Sequence, residues 1–180
     1  MTAVAKTTEH LPAKVSTKHT ASAGQYLTFI LGGESYAIGI LHTKEIIDYG
    51  YLTEVPMMPS FVRGVINLRG SAVPVIDLQA RFGKGNTLID KRTSIIIVET
   101  LRDTEEGEPQ DIGIIVDAVN EVVEINQNDI EPAPSFGASV PSNFINAMAK
   151  RDDSFVILLN VNRVLSIEEM AAVSRGVENA

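Results

Sequence analysis

The feature of this sequence that most constrains its fold is a weak internal repeat. Residues 38–48 read IGILHTKEIID, and residues 114–124, at an offset of 76, read IIVDAVNEVVE. After an insertion of seven residues the match resumes, with residues 71–78 against residues 154–161. The collinear order of these matches indicates a tandem duplication. The chain should therefore contain two similar structural units rather than one continuous fold.

Each unit is predicted to consist of short β-strands. Residues 26–31 and 35–40 are apolar and β-prone on either side of Gly32 and Gly33. Paired glycines suit a type I′ hairpin, because that turn needs positive φ at both central positions. Pro74 predicts an edge or a bulge in its strand, since proline donates no ladder hydrogen bond. The remaining strands are predicted at residues 44–47, 65–68, 72–78, 94–98, 112–116, 121–125 and 155–161.

Helical signals are few. Ser142 is a candidate cap for a short helix over residues 143–150, with Phe144, Ile145 and Met148 on one face. Ser166 and Glu169 form a capping box for a C-terminal helix that runs to about residue 175. The sequence therefore predicts an all-β protein with a few short helices. Two small barrels of about five strands each fit this pattern, because closure removes exposed sheet edges.

The domain boundaries follow from composition and periodicity. Residues 1–23 are rich in Thr, Ala, Lys and Ser and show no periodicity, so they are predicted to be a disordered N-terminal tail. The folded domain is predicted to cover residues 24–176. Its repeat halves are 26–90 and 91–166, with strands shared between them.

Composition excludes several classes of function. The chain has no cysteine, which excludes disulfides and thiolate metal sites and fits a reducing cytoplasm. No apolar run approaches the roughly 20 residues that a membrane-spanning helix needs. The net charge is −8, and the lysine-rich tail makes the rest of the chain still more acidic. Because such a body repels phosphate groups, we expect no nucleic-acid partner and no direct membrane insertion.

Catalytic signals are sparse. Of the three histidines only His42 lies outside the predicted tail, and no HExxH pair, phosphate-binding glycine loop or nucleophile elbow is present. Asp48, Asp77, Asp117 and Glu121 are candidates for a convergent carboxylate site by residue type only. Asp77 and Asp117 are more simply read as residues that end strands and accept hydrogen bonds from turn amides. We expect no catalytic residue, no cofactor and no metal.

The densest pattern runs over residues 56–83, PMMPSFVRGVINLRGSAVPVIDLQARFG. Strand alternation places Ile66 and Leu68 on one face, and Arg69 should project from the hairpin tip on the polar face. Gly64 and Gly70 are expected to serve backbone shape. A cross-strand ion pair between Glu45 and Arg69 is an alternative structural role, and it would contribute about 0.2–1 kcal/mol if exposed.

This segment resembles the CheW family of bacterial chemotaxis adaptors. The resemblance lies in the Glu-Ile strand, PxxP, GVINLRG, PVIDL and RFG, and it continues through IGIIVDAVNEVVEI and FINAMAKRDDSFVILLNVNRVL. It covers about residues 25–170. The resemblance implies two intertwined five-stranded SH3-like barrels around a shared core. It further implies a non-enzymatic scaffold that acts in the cytoplasm, at the inner face of the membrane, within receptor arrays.

The resemblance also implies partners and contact residues. The partners would be the cytoplasmic tip of a chemoreceptor (a methyl-accepting chemotaxis protein) and the regulatory domain of the histidine kinase CheA. Family residues that contact the receptor match Thr43, Glu45, Gly64 and Arg69. Thr43 departs from the commoner valine, and residues 42–44 are more polar than is usual in the family. Kinase-binding residues stay unassigned, because apolar surface positions look like core positions in one dimension.

Other interpretations stay open beside this one. A hydrolase would need two or more acidic residues with perturbed acidity in a deep pocket. A generic SH3-like peptide-binding module would need an aromatic-lined groove, and the four tyrosines form no convincing stripe. Related proteins that carry this domain beside kinase or receiver domains are longer than 180 residues, so a single-domain adaptor is expected.

Overall fold

The computed structural model describes residues 22–101, 109–133 and 140–166. Nearly all of the predicted tail and the predicted C-terminal helix beyond Ser166 lie outside these ranges. The elements within them are the strands β1 (Gly24–Leu31), β2 (Glu34–Gly39), β3 (Thr43–Asp48), β4 (Val62–Leu68), β5 (Ser71–Asp77), β6 (Ser94–Leu101), β7 (Pro109–Val116), β8 (Ala118–Ile125), β9 (Ile130–Glu131), β10 (Ile145–Arg151) and β11 (Ser154–Leu159), the helices α1 (Leu78–Arg81) and α2 (Val161–Val164), and 3-10 turns at Ile40–His42, Gln127–Asp129 and Ser142–Phe144.

The strands form two sheets that exchange hairpins between the repeats. The first sheet has the order β8-β1-β2-β11-β10-β9, and the second has the order β3-β6-β7-β5-β4. We call the units built on them the first and second barrel. The first barrel combines the β1–β2 hairpin with strands of the second repeat, and the second barrel combines β6 and β7 with strands of the first repeat. Parallel pairs β2–β11 and β5–β7 join the repeats. The predicted all-β, intertwined two-barrel fold is confirmed.

The duplication is visible in matching structural details. At an offset of 83, β4, β5 and α1 correspond to β10, β11 and α2. The pairing register shifts between Val62 and Gly64 in the second barrel and between Ile145 and Ala147 in the first, which are equivalent positions. Thr53 pairs with Val65 beside β4, as β9 pairs with β10. Two copies of one topology therefore account for both sheets.

The hydrophobic core has one shared part and two separate parts. A central cluster takes residues from both sheets and from both helices, whereas smaller clusters fill each barrel. Phe29, Tyr36, Phe82 and Phe144 form a continuous row, with successive ring centroids 5.9–6.1 Å apart. This row crosses from one barrel to the other, so the shared core expected from the resemblance is present.

An arginine adds a polar link inside this shared region. The Arg81 guanidinium lies 5.1 Å from the Phe61 ring centroid and 4.7 Å from that of Phe144, which is the equivalent residue of the other repeat. Arg81 Nε also donates to the Val164 carbonyl at 3.2 Å. These cation–π contacts therefore join one aromatic residue of each repeat to the same guanidinium group.

The backbone confirms the hairpin turn predicted at Gly32 and Gly33, but it does not show the sheet edge or bulge predicted at Pro74. Gly32 and Gly33 have φ of 56° and 82°, which is the positive pair that a type I′ hairpin needs. Pro74 lies on a strand with neighbours on both sides, but β5 pairs with β7 only from Val75 onward. The missing amide hydrogen of Pro74 therefore falls where β7 offers no partner.

One predicted element is wrong. Residues 143–150 were expected to form a helix, but Ser142–Phe144 is a 3-10 turn and Ile145–Arg151 is β10. Ile145, Ala147 and Ala149 are buried and alternate with more exposed residues, which is the period of a strand. Pairing with β11 and β9 overrides the helix propensity of this alanine-rich segment. The strand predicted over residues 155–161 ends at Leu159, because Asn160 caps α2.

Candidate functional site

The four candidate contact residues all belong to the second barrel. Thr43 and Glu45 lie on β3, Gly64 lies on β4, and Arg69 lies in the turn between β4 and β5. β3 and β4 are the outer strands of their sheet order. Barrel closure brings them together, and Arg69 Nη2 lies 3.1 Å from Glu45 Oε2. The Glu45–Arg69 ion pair that was considered as an alternative is therefore present. It joins the two outer strands where the barrel closes, and these strands are not hydrogen-bonded neighbours in the sheet.

The backbone of Arg69 adopts a left-handed conformation, which is uncommon for a residue other than glycine. Its φ is 52°, and Gly70 follows with φ of 86°. The left-handed conformation costs a side-chain-bearing residue roughly 1–2 kcal/mol, which glycine avoids. Asn67 Oδ1 accepts a hydrogen bond from the Gly70 amide at 2.9 Å and so fixes the turn. The side chain is 79% exposed, so burial of Arg69 does not offset this cost.

Gly64 shapes the backbone, as its sequence context predicted. It is buried with φ of 151°, and a Cβ there would meet the Thr53 carbonyl, with its carbon only 3.0 Å away. That carbonyl accepts the Val65 amide hydrogen at 2.8 Å, which closes the barrel. Gly64 therefore permits the close approach that brings the β3 side of the barrel to β4.

Thr43 is half-buried at the register shift between β3 and β6. Its Oγ1 is buried and makes no hydrogen bond. Among the residues that the structure describes, it is the one buried side-chain polar atom that lacks a hydrogen-bond partner. A valine would fill the same volume without this unsatisfied oxygen. The side chain of Thr43 thus has nearly the same shape as valine, the commoner residue at this position in the family.

Lys44 accounts for part of the polar character of residues 42–44. Its Nζ lies 3.0 Å from Asp111 Oδ1 on β7 and 3.3 Å from Glu99 Oε2 on β6, the next two strands of the sheet. Hydrogen bonds to Asp111 and then Glu99 raise the pKa of Lys44 above its usual value. The charge of Lys44 is therefore balanced by its own barrel.

Asp77 has a structural role at the start of α1. Its side chain is completely buried and accepts hydrogen bonds from Thr87 Oγ1 at 2.7 Å, Thr87 N at 2.8 Å and Ala80 N at 3.3 Å. Arg63 Nη1 lies 3.4 Å from Asp77 Oδ2 and supplies the opposite charge. Asp77 thus caps the helix and anchors the following loop, as a strand-ending aspartate was expected to do.

The other acidic candidates occupy separate structural positions. Asp117 Oδ2 accepts the Gly32 amide hydrogen at 2.8 Å, and Glu121 lies 3.7 Å from Arg151. Asp48 is exposed at the end of β3. Within the three described ranges no cluster of acidic or histidine residues could hold a metal ion. Among the described residues, the four candidate carboxylates therefore do not form the converging site that a hydrolase requires.

The exposed apolar residues were not identified from the sequence. Tyr51 and Met57 are 89% and 83% exposed, and Met58 and Val55 are also exposed, all within one loop between β3 and β4. Tyr51 is the only exposed tyrosine, since Tyr26 and Tyr36 are buried and Tyr49 is half-buried. The aromatic groove that a generic SH3-like module would need is therefore not formed by the tyrosines. In the part of the chain that is described, no helix has the length and apolar character to cross a membrane.

The chain is similar to known chemotaxis proteins over nearly all of its folded length. Residues 25–169 match the CheW-like domain family. The chemotaxis protein CheW of Klebsiella aerogenes is 34% identical over 162 residues, which cover 89% of this chain and 93% of that protein. The chemotaxis protein CheW of Bacillus subtilis is 33% identical over 142 residues, or 79% of this chain and 86% of that protein.

A solved structure shares the fold as well as the sequence. The crystal structure of the scaffolding protein TtCheW from Thermoanaerobacter tengcongensis superposes with a TM-score of 0.71 at 36% identity, covering 83% of this chain and 92% of that one. These relatives are named as chemotaxis and scaffolding proteins and not as enzymes, which confirms the expectation of a non-enzymatic chemotaxis scaffold. The repeat, the exchanged hairpins and these similarities agree, and the chain belongs to the CheW-like family.

Proposed function

We propose that this protein links the cytoplasmic tips of transmembrane chemoreceptors to the histidine kinase CheA, acting in the cytoplasm at the inner face of the membrane. Family membership supports the proposal, because the similarity extends over residues 25–169. The similar proteins include a chemotaxis protein CheW and a scaffolding protein. The protein would act by binding and positioning its partners.

The observation that carries the proposal is the exposed Glu45–Arg69 pair. Arg69 is held in a left-handed conformation at the tip of a hairpin, where glycine would be less costly. An exposed ion pair stabilises a protein by at most about 1 kcal/mol, which is no more than the left-handed conformation of Arg69 costs. The equivalent turn residue of the other repeat, Asp152, has φ of 50°, so the left-handed turn belongs to both hairpins, whereas the guanidinium paired with Glu45 is particular to this one. We therefore assign Arg69 a binding role, with Glu45 holding its guanidinium in place.

The chemistry of the pair suits a polar surface of a partner. A guanidinium has five N–H donors in a planar fork, so a single carboxylate leaves donors for a second protein. A hairpin with a fixed turn loses little entropy on binding. In this proposal Glu45 and Arg69 contact the receptor, while Gly64 and Thr43 give the surface its shape.

The kinase is proposed to bind elsewhere on the protein, because the resemblance to the CheW family implies a separate surface for it. The resemblance also implies that the kinase's regulatory domain has the same fold, so the contact would join similar barrels. Reversal of the charge at Arg69 should then affect the two partners differently.

Co-sedimentation tests the proposed function directly. The full chain would be mixed with a receptor cytoplasmic fragment, with CheA, and with both. We expect binding to each partner alone and a ternary complex with both. Arg69→Glu should weaken receptor binding about ten-fold or more while kinase binding persists. Arg92→Glu is a matched control, because Arg92 is 77% exposed in the same barrel and has its own acidic neighbour, Asp90. A chain that binds neither partner would contradict the proposal.

A further inference from the structure

The two repeats differ in the residues that follow their equivalent short helices. After α1, Gly83 and Gly85 have φ of 79° and 84°, and this left-handed backbone turns the chain directly behind the helix. At the offset of 83, the equivalent residues of the other repeat are Ser166 and Glu168. A left-handed backbone is costly for a residue that carries a side chain. The segment that follows α2 is therefore poorly suited to the loop that follows α1.

The backbone begins to differ at Ser166. The two repeats still match at the first hydrogen bond after the helix, where the amides of Gly83 and Ser166 donate to helix carbonyls at 3.0 Å and 3.5 Å. However, Ser166 is not among the described side-chain-bearing residues that have positive φ. Ser166 therefore lacks the left-handed turn of Gly83, and we expect the segment after it to follow another path.

The sequence of that segment favours a helix. Ser166 and Glu169 form a capping box, in which the Glu169 side chain accepts the Ser166 amide hydrogen. Leu165 precedes the cap and Met170 is the fourth helical residue, and these are the two positions of a hydrophobic staple. Leu165 is buried in the central cluster. Contact between Leu165 and Met170 therefore holds the first turn of such a helix against the shared core.

The segment departs beside a contact that joins the two repeats. The Arg81 guanidinium lies 5.1 Å from the ring centroid of Phe61 and 4.7 Å from that of Phe144, and we call this three-residue contact the junction. Arg81 Nε also donates to the Val164 carbonyl at 3.2 Å, two residues before Ser166. Because of this hydrogen bond, the first turn after Ser166 begins next to a guanidinium group.

The charges of the two terminal segments favour the C-terminal one at the junction. Glu168 and Glu169 come directly after the point of departure, whereas residues 1–21 contain three lysines and one glutamate. A guanidinium group attracts carboxylates and repels ammonium groups. Charge complementarity with Arg81 therefore selects the C-terminal segment over the N-terminal one.

Helical spacing decides which of the two carboxylates faces the protein. Successive residues are about 100° apart around a helix axis. Glu169 is therefore about 100° from Met170, whereas Glu168 is about 160° from it. With Met170 packed on Leu165, Glu169 stays beside the docked face of the helix and Glu168 points away from it.

We propose that residues 167–175 form a helix that docks on the junction, with Met170 packed on Leu165 and Glu169 paired with Arg81. The occupant of this surface is thus a segment of the protein's own chain. The helix fastens the end of the second repeat to α1 of the first repeat. The inference is independent of receptor and kinase binding, so the free protein is sufficient to test it.

Nuclear magnetic resonance of the full chain tests the ion pair with Glu169→Gln. Glutamine keeps the capping box but removes the charge. We expect a shift of the Arg81 Nε–Hε signal and amide hydrogen exchange about ten-fold faster at residues 170–173. Glu168→Gln is the matched control, because it removes the same charge from the opposite side of the helix and should leave both readouts unchanged. Equal effects of the two variants, or no effect of Glu169→Gln, would overturn the inference.

Spin labels distinguish the C-terminal segment from the N-terminal one as the occupant. The chain has no cysteine, so a single introduced cysteine carries the label. A label on Ala172→Cys, on the side of the helix away from Met170, should broaden the signals of Arg81 and Phe144. A label on Ser16→Cys should leave them sharp. Broadening from position 16 alone would assign the junction to the N-terminal segment, and broadening from neither position would show an uncovered junction. Either result would overturn the inference.

Discussion

At the scale of single residues, Arg69 and Gly64 make different contributions to the same surface. Gly64 is buried, and its missing Cβ allows the Thr53 carbonyl to approach β4. Arg69 is exposed, and its φ of 52° is one that glycine adopts more readily. The presence of glycine at position 64 is therefore explained by the shape of the backbone. The presence of arginine at position 69 needs a role for its side chain. The proposed binding role of Arg69 follows from this contrast.

Replacement of Arg69 by glycine and by alanine separates the strain of the turn from the ion pair. Both variants lose the pair with Glu45, but only glycine relieves the left-handed conformation. We expect Arg69→Gly to be about 1 kcal/mol more stable than Arg69→Ala, measured as the free energy of unfolding in urea. Both variants should lose receptor binding. A glycine variant less stable than the alanine variant would show that the turn does not strain Arg69.

At the scale of elements, the two short helices are capped at the same position by different residues, Asp77 and Asn160. Asp77 accepts the Ala80 amide hydrogen, and Asn160 accepts the equivalent Arg163 amide hydrogen. Asp77 additionally contacts Arg63 and Thr87, whereas Asn160 lines a cleft of the first barrel. The same capping position thus anchors a loop in one repeat and lines a cleft in the other.

Removal of the two caps should therefore have unequal effects. Asn160→Ala removes one capping hydrogen bond, so it should cost about 1 kcal/mol of stability. Asp77→Ala also leaves Arg63 and Thr87 without their buried partner, so its cost should be about 3–5 kcal/mol. Urea unfolding of both variants measures the difference. Equal losses would mean that the Asp77 network adds nothing beyond the cap.

The strands and the repeat could be predicted from the sequence because alternation and turn residues are local signals. The hairpin at Gly32 and Gly33 and the strand-ending role of Asp77 follow from such signals. The helix predicted over residues 143–150 was wrong, because pairing with β11 decides the conformation of β10. The Glu45–Arg69 pair was foreseen only as an alternative. The cleft beside Asn160 was not predicted, because its walls come from residues that are distant in the chain, such as Gln25, His42 and Asn160.

At the scale of the whole molecule, neither repeat contains a complete barrel. Each barrel takes its β1–β2-type hairpin from one repeat and its other strands from the other. The central cluster also combines residues of both repeats, including the row from Phe29 to Phe144. Loss of one repeat would expose the core of the other. The two barrels should therefore fold and unfold as one unit.

Scanning calorimetry of the full chain tests this coupling. We expect a single transition with equal calorimetric and van't Hoff enthalpies. Asp77→Ala, in the second barrel, should move the whole transition to lower temperature rather than split it. Two separate transitions, with only one of them shifted by Asp77→Ala, would contradict the coupled fold.

The central claim is that Glu45 and Arg69 contact the receptor and do not merely pair with each other. Receptor-fragment affinity of Glu45→Lys, Arg69→Glu and the double variant tests it most directly, with kinase binding and unfolding as controls. The surface changes should each cost less than about 1 kcal/mol of stability, and the double variant rebuilds the pair in reverse. We expect the double variant to stay about ten-fold or more weaker in receptor binding, because its charges no longer match the partner. Recovery of wild-type receptor affinity by the double variant, or normal binding by Arg69→Glu, would contradict the claim.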